Sequence, residues 1–215
     1  MIITIDGPAG SGKSTVADAL AKKLNFIHFN SGALFRGITA HLLNISFDIS
    51  SINENSSLPE ITLLVKMIDN TQHVYVNNID YTPVLRNNEI STNVAIVAAN
   101  INTRQIVDNC QREFCSKNNI VIEGRDTGSF VFPNAEVKFY LDCSVKERAK
   151  RRFLEEQLKN PEITLKEIED QIILRDNLDK ERKIAPLVIA KNAIVVDSTQ
   201  KTINEVVDTM LKYIK

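Results

Sequence analysis

Residue types that mark several protein classes are scarce in this sequence. It has only three cysteines and three histidines in 215 residues. The cysteines, Cys110, Cys115 and Cys143, are odd in number and lack the spacing of metal ligands, which predicts reduced thiols. The histidines are scattered along the chain, so no second set of metal ligands accompanies the thiols. We therefore expect neither a disulfide-linked secreted domain nor a His/Cys metal centre.

Excess charge and long apolar runs are also missing. The 26 basic and 27 acidic side chains give a net charge of −1, which provides no general attraction to nucleic acid or to an anionic membrane. No apolar run approaches the roughly 20 residues of a membrane span, and the N-terminus has no signal-peptide pattern. We expect a cytoplasmic protein whose anion binding depends on local clusters of basic residues.

Glycine is rare too, and its distribution is uneven. Three of the seven glycines lie in the stretch Gly7-Pro8-Ala9-Gly10-Ser11-Gly12-Lys13-Ser14-Thr15. This stretch fits G-x-x-x-x-G-K-[ST], the phosphate-binding P-loop. The apolar run Ile2–Ile5 before it suits a buried strand, and the amphipathic pattern after it predicts a helix from about Lys13. Residues 7–15 are therefore predicted to bind ATP.

The physical reason is direct. Glycines let the backbone curl so that several N–H groups point inward around an anion, and the helix N-terminus adds a partial positive charge there. Lys13 would reach the β- and γ-phosphates, and the Ser14 hydroxyl would bind Mg²⁺. The pattern predicts a magnesium–nucleotide site in which Ser14 is the protein's metal ligand.

The rest of the chain alternates strands and helices. Core strands are predicted at 26–30, 120–122, 137–141 and 193–197, with helices between them and a closing helix over 203–214. This order predicts one α/β domain over 1–215, a P-loop three-layer fold with a central parallel sheet flanked by helices. Residues 37–103 interrupt it with a small α+β insertion, which includes a hairpin turn at Asn77-Asn78 and a helix break at about residues 100–103. Residues 153–183 are charged and helical in pattern up to Pro186.

Arginines occur at helix starts, strand ends and charged hinges, and they include Arg36, Arg104, Arg125, Arg175 and Arg182. Their planar forks suit phosphate oxygens. A second anion site beside a P-loop favours transfer of phosphate to another phosphorylated molecule, as in a nucleoside monophosphate kinase, which needs no general base. The remaining basic stripe, Arg148, Arg151 and Arg152, is expected to face solvent.

Five segments together carry a family resemblance. They are Ile5–Thr15, Asn30–Arg36, Glu123–Gly128 with Val131-Phe132-Pro133, Arg175–Leu187 and Asp197-Ser198-Thr199. The chain resembles the bacterial cytidylate kinase family along almost its whole length. The Gly-Arg-Asp block and the Ala-Pro-Leu end of the fourth segment are more specific to that family than the P-loop.

The resemblance implies particular roles. CMP would be bound by Ser31, Arg36, Arg104, Arg125, Asp126, Arg175, Asp179 and Arg182. The catalytic residues would be Lys13, Arg125, Arg175 and Arg182. Residues 37–103 would form the monophosphate-binding insertion and residues 150–185 a helical lid. A monomer would convert ATP and CMP or dCMP to ADP and CDP or dCDP with Mg²⁺.

Four positions depart from the family pattern, and two other functions stay open. Asn30, Phe35, Ala95 and Leu178 stand where relatives carry Asp, Tyr, Ser and a basic residue. Loss of the hydroxyl at position 95 leaves the choice between CMP and UMP open. A non-catalytic nucleotide switch would need no acceptor site. A kinase for a hydroxyl acceptor would need a carboxylate base, for which Asp126 is the candidate.

Overall fold

The computed structural model describes residues 1–158 and 160–214. Lys215, the last residue of the predicted domain, and Lys159, in the predicted lid, lie outside the described residues. Within them the chain has eight strands and seven α-helices. In chain order these are β1 (Ile2–Asp6), α1 (Lys13–Leu24), β2 (Ile27–Asn30), α2 (Ser31–Asn44), β3 (Leu63–Ile68), β4 (Thr71–Val76), β5 (Ile79–Asp80), α3 (Asn88–Ala99), α4 (Ile101–Cys115), β6 (Ile120–Gly124), β7 (Val137–Asp142), α5 (Val145–Glu156), α6 (Leu165–Glu181), β8 (Ile194–Asp197) and α7 (Ile203–Leu211).

The chain divides into two compact units. The first contains residues 1–25 and the residues from 121 onward, and the second contains residues 26–120. In the first unit the strands lie in the order β6-β1-β7-β8, and β7 runs parallel to both β1 and β8. Ile3 and Ile5 of β1 are fully buried, as are Val121 and Ile122 of β6. Such apolar runs are typical of parallel strands covered on both faces, and they confirm the predicted α/β P-loop fold.

The charged segment of the first unit contains the end of one helix and the whole of the next. Helix α5 ends at Glu156 and α6 begins at Leu165. Pro161 between them has no N–H to donate, and Thr164 starts α6 with a capping box shared with Glu167. Helix α6 ends at Glu181, five residues before Pro186.

The second unit contains an antiparallel sheet in the order β3-β4-β5, together with β2, α2, α3 and α4. Asn77 and Asn78 both have positive φ, 49° and 65°, which confirms the predicted two-residue hairpin turn. Asn100 separates α3 from α4, as predicted. Its Oδ1 accepts a hydrogen bond from the N–H of Thr103 at 3.1 Å, which caps α4. The proposed insertion over 37–103 lies within this unit.

Candidate active site

The P-loop connects β1 to α1, as its sequence context requires. Three of its glycines have positive φ: 156° at Gly7, 75° at Gly10 and 89° at Gly12. A Cβ at Gly7 would lie 2.3 Å from the carbonyl oxygen of Leu141. The close approach of β7 therefore requires glycine at position 7, and the backbone conformation favours it at positions 10 and 12.

Lys13 is the first residue of α1 and is 5% exposed. Its Nζ donates to the carbonyl of Pro8 at 2.6 Å and lies 3.3 Å from Ser11 Oγ. Burial, and to a smaller extent the charge of Arg125, lower the pKa of Lys13 to about 7, while nearby carboxylates oppose the change. An anion at the loop would restore the charged form of this amine.

The start of α1 is suited to an anion. Gly12 occupies the N-cap position and has no side chain to satisfy the first N–H groups of the helix. The two hydroxyl residues that follow Lys13, Ser14 and Thr15, are exposed in the first turn. Exposed hydroxyls beside unfilled N–H donors are the groups that a magnesium–phosphate ligand uses.

A buried carboxylate connects the strand before the P-loop to the segment after β6. Asp6 Oδ1 accepts hydrogen bonds from the N–H and hydroxyl of Thr127 at 2.9 and 2.7 Å, and Oδ2 accepts from Gly128 N at 2.7 Å. Burial raises the pKa of Asp6 to about 6, although these three donors favour the carboxylate. Asp6 holds the π-helical turn over Thr127–Val131, which directly follows Arg125 and Asp126. Sequence reasoning gave Asp6 no role of its own.

Five residues predicted to contact nucleotide form an arginine–aspartate cluster: Arg125, Asp126, Arg175, Asp179 and Arg182. Asp179 accepts from Arg125 Nε at 2.9 Å and from Arg175 Nε at 3.3 Å, while Asp126 accepts from Arg182 at 2.8 Å. Both aspartates are buried, at 2% and 5% exposure. Although burial would raise it, the three arginines hold the pKa of Asp179 below its usual value. These residues are therefore not a solvated surface of ion pairs.

The chain reverses direction after α6, and this reversal positions Arg182 of the cluster. Arg182 has an extended backbone, and its Nε donates to the carbonyl of Ala185 at 2.6 Å. Ala185 has a φ of 49°, and the N–H of Leu187 donates to the carbonyl of Asp179 at 2.8 Å. The Ala-Pro-Leu motif thus folds back onto α6 and holds Arg182 beside it.

The prediction that the basic stripe of α5 faces solvent is wrong for Arg148. Its side chain is buried, and its Nη1 lies 2.7 Å from Asp176 Oδ2 and donates to the carbonyl of Ala9 at 2.7 Å. The N–H of Ala9 donates to Asp176 Oδ1 at 3.0 Å. Arg151 and Arg152, by contrast, are half-buried and pair with Glu147 and Glu156 within α5. The local sequence does not distinguish Arg148 from Arg152, because each directly precedes an apolar residue, Ala149 and Phe153 respectively.

The other predicted CMP residues lie in the second unit. Ser31 is buried at the start of α2, and Arg36 Nη1 donates to Ser91 Oγ at 2.7 Å and to the carbonyl of Leu85 at 3.2 Å. Arg104 is 3% exposed, donates to the carbonyl of Ala98 at 3.1 Å and stacks 5.5 Å from the ring centre of Phe35. Ser91 was not predicted. It lies one helical turn before Ala95 on α3, so a hydroxyl is present near the position where the family pattern has one.

Two properties of the described residues limit the kind of site they can form. Among them no group of three or more His, Cys, Asp or Glu side chains could hold a metal ion. None of their helices is long and apolar enough to cross a membrane.

Comparison with known proteins gives a consistent result. A model of the cytidylate kinase family matches residues 3–215. The cytidylate kinase of Ligilactobacillus salivarius (strain UCC118) is 42% identical over 215 residues, covering 99% of this chain and 96% of that protein. The cytidylate kinase of Clostridioides difficile (strain 630) is 38% identical over 214 residues, covering 100% of this chain and 98% of that protein.

Solved structures resemble the fold at low sequence identity. The shikimate kinase from Bacteroides thetaiotaomicron has a TM-score of 0.53 at 14% identity, covering 99% of this chain and 97% of that one. The shikimate kinase from Acinetobacter baumannii in complex with shikimate has a TM-score of 0.51 at 15% identity, covering 99% and 92%. At this identity the likeness establishes an α/β P-loop kinase fold and nothing about the acceptor.

Proposed function

Because this chain belongs to the cytidylate kinase family, we propose that it carries out in-line transfer of the γ-phosphate of ATP to CMP or dCMP. We assign this reaction to its P-loop, its arginine–aspartate cluster, Arg36 and Arg104. The family makes the chain an ATP-dependent nucleoside monophosphate kinase. What we propose is the assignment of its residues, its metal ion and its mechanism. The observation that carries the assignment is the buried arginine–aspartate cluster, which lies in the same unit as the P-loop.

The donor nucleotide is assigned to residues 7–15. The curled backbone and the unfilled N–H groups at the start of α1 bind the phosphates of ATP, and Lys13 carries a positive charge to them. Because the amine of Lys13 is already buried and hydrogen-bonded inside the loop, it reaches the phosphates with little loss of side-chain entropy.

The acceptor is assigned to Ser31, Arg36, Arg104, Arg125 and Asp126. Arg36 and Arg125 bind the acceptor phosphate, while Arg104 and Asp126 bind nearer the base. The remaining cluster residues, Arg175, Asp179 and Arg182, belong to a lid over residues 150–185 that contacts the nucleotide and closes over the transferred phosphate. Phosphoryl transfer depends mainly on positioning and on stabilisation of charge, which a set of arginines supplies.

No general base is required for this reaction, because the acceptor phosphate is ionised near neutral pH. Asp126, the one carboxylate that a hydroxyl acceptor could use as a base, accepts a hydrogen bond from Arg182 at 2.8 Å. A carboxylate oxygen held by a guanidinium is already occupied and less available to a substrate hydroxyl. This contact favours a phosphate over a hydroxyl as the accepting group.

Mg²⁺ fits the donor set at the P-loop. The exposed hydroxyl of Ser14 is an oxygen ligand, and Mg²⁺ usually keeps several waters while binding substrate phosphates with one or two protein ligands. The absence of a three-residue ligand group among the described residues is compatible with that mode. When bound, the ion would neutralise charge on the β- and γ-phosphates, while Lys13 and the arginines orient them.

We also propose that the chain acts as a monomer on small nucleotides in the cytoplasm. All three cysteines are free thiols, as a reducing compartment requires.

The test is a coupled ADP-release assay with ATP, Mg²⁺ and each of CMP, dCMP, UMP, AMP and GMP. We expect turnover with CMP and dCMP well above that with UMP. Comparable rates with CMP and UMP would show that the change at Ala95 relaxes base selection. Absence of acceptor-dependent turnover would refute the proposed assignment and leave a nucleotide-binding switch.

A further inference from the structure

A buried ion pair outside the predicted site hydrogen-bonds to the P-loop. Arg148 of α5 and Asp176 of α6 are 3% and 4% exposed, and their Nη1 and Oδ2 atoms are 2.7 Å apart. Neither residue was predicted to bind nucleotide. Both contact a single P-loop residue, Ala9.

The contacts occupy both main-chain polar groups of Ala9. Its carbonyl accepts from Arg148 Nη1 at 2.7 Å, and its N–H donates to Asp176 Oδ1 at 3.0 Å. The same residue is only half-buried and precedes Gly10, which is exposed and has a φ of 75°. A glycine-rich turn of this kind has many accessible backbone conformations. Side chains that hydrogen-bond to its main-chain groups reduce that conformational freedom.

The pair is itself held from two sides. Arg148 Nε donates to the carbonyl of Cys143, just after β7, at 2.9 Å. Ala149, which follows Arg148, packs with Ile168 and Ile172 of α6 in a buried apolar cluster. The two helices therefore present the guanidinium and the carboxylate to Ala9 in a fixed geometry.

We propose that Arg148 and Asp176 are positioning residues that hold the P-loop in its ATP-binding conformation. Because Asp176 is adjacent to Arg175, the same pair ties the loop to the helix that carries a proposed catalytic arginine. The inference rests on the proposed function, in that ATP is the ligand of the loop. Neither side chain is assigned a contact with substrate, so the pair acts through the backbone of Ala9.

The test must separate positioning from simple stabilisation. Replacing one partner alone, as in Asp176→Asn, leaves a charged arginine buried without a counterion and will lower stability in either case. The double variant Arg148→Met/Asp176→Leu removes both charges, and an apolar pair of similar volume commonly restores the stability of a buried ion pair. It cannot restore the two hydrogen bonds to Ala9.

We expect the double variant to unfold at a denaturant concentration close to that of the wild type, yet to bind ATP about tenfold or more weakly by titration calorimetry. The dissociation constant of CMP should stay unchanged. Arg148→Lys, which keeps the charge but loses the planar fork, should raise the KM for ATP more than it lowers kcat. Lys146→Ala, on the same helix, exposed and outside the proposed lid, is the matched control and should match the wild type in both constants.

Recovery of full ATP affinity by the double variant would overturn the proposal and leave the pair a purely structural one. Equal weakening of ATP and CMP would overturn it as well. If the double variant does not fold, Arg148→Lys decides the question through its KM for ATP, and an unchanged KM refutes positioning. Failure of the proposed function is a separate result, since wild-type protein would then bind ATP without CMP-dependent turnover.

Discussion

Replacing Arg125 with alanine tests the acceptor site and the cluster around Asp179 at once. The Arg125 guanidinium donates through Nε to Asp179 Oδ2 at 2.9 Å, and its side chain is 24% exposed, against 3% for that of Asp179. One face of the guanidinium is thus engaged by the protein while part of it stays accessible. We expect the variant to lose acceptor binding and to keep ATP binding.

Two magnitudes follow from this geometry. A hydrogen bond to a charged group contributes about 1.5–3 kcal/mol, which corresponds to about 10- to 150-fold weaker binding of CMP. Breaking a buried ion pair typically costs about 3–5 kcal/mol of folding free energy. Here Arg175 still lies 3.3 Å from Asp179, so we expect the free energy of unfolding to fall by only about 1–2 kcal/mol.

The assay is initial-rate kinetics by coupled ADP release, with CMP and ATP varied separately, and urea unfolding of the same preparations. Lys146→Ala removes an equal charge from an exposed position outside the proposed lid and serves as the control. The KM for CMP should rise in Arg125→Ala while the KM for ATP stays near the wild-type value. A similar rise in both constants would refute the assignment of Arg125 to the acceptor.

Three further predictions concern the P-loop lysine and the second unit. Lys13→Ala should abolish ADP release while its circular dichroism spectrum stays that of the wild type; residual transfer above about one part in a thousand would contradict a direct role on the phosphates. At pH 8 the amine of Lys13, with a pKa of about 7, is largely neutral, and bound phosphate raises that pKa again, so ATP binding should take up close to one proton. Calorimetry in buffers of different ionisation enthalpy measures this uptake, and a buffer-independent heat would argue against it. Gly37→Ala should lower the free energy of unfolding by about 1–3 kcal/mol, because the new Cβ would lie 2.5 Å from Val74 Cγ1. Adding Val74→Ala should recover part of that loss in urea unfolding, and no recovery would mean that the clash lies elsewhere.

Much of the fold could be predicted because its signals are local. The P-loop, the strand before it and the helix after it form one continuous stretch, and the left-handed backbone at Asn77 and Asn78 is a property of those two residues. The capping side chain of Asn100 likewise acts within three residues of its own position. The binding roles of the site residues are different in kind, and they stay predictions that the experiments above will test.

The error at Arg148 arose because the outcome there depends on packing between helices. Arg148 sits in a run of basic residues that resembles a solvated stripe. Its burial follows from the docking of α6 on α5, which brings a carboxylate from 28 positions further along the chain to within 2.7 Å.

The sequence by itself determined the phosphate-binding loop, the order of strands and helices, and the family to which the chain belongs, because each depends on residues that are neighbours in the chain. The tertiary structure decided which charged residues are buried against which. Asp6 with Thr127, Asp176 with Arg148, and Asp179 with Arg125 are pairs separated by 121, 28 and 54 positions. A charge can leave water only where a partner of opposite charge or a set of hydrogen-bond donors meets it, and those partners are brought together by packing of the sheet and its helices.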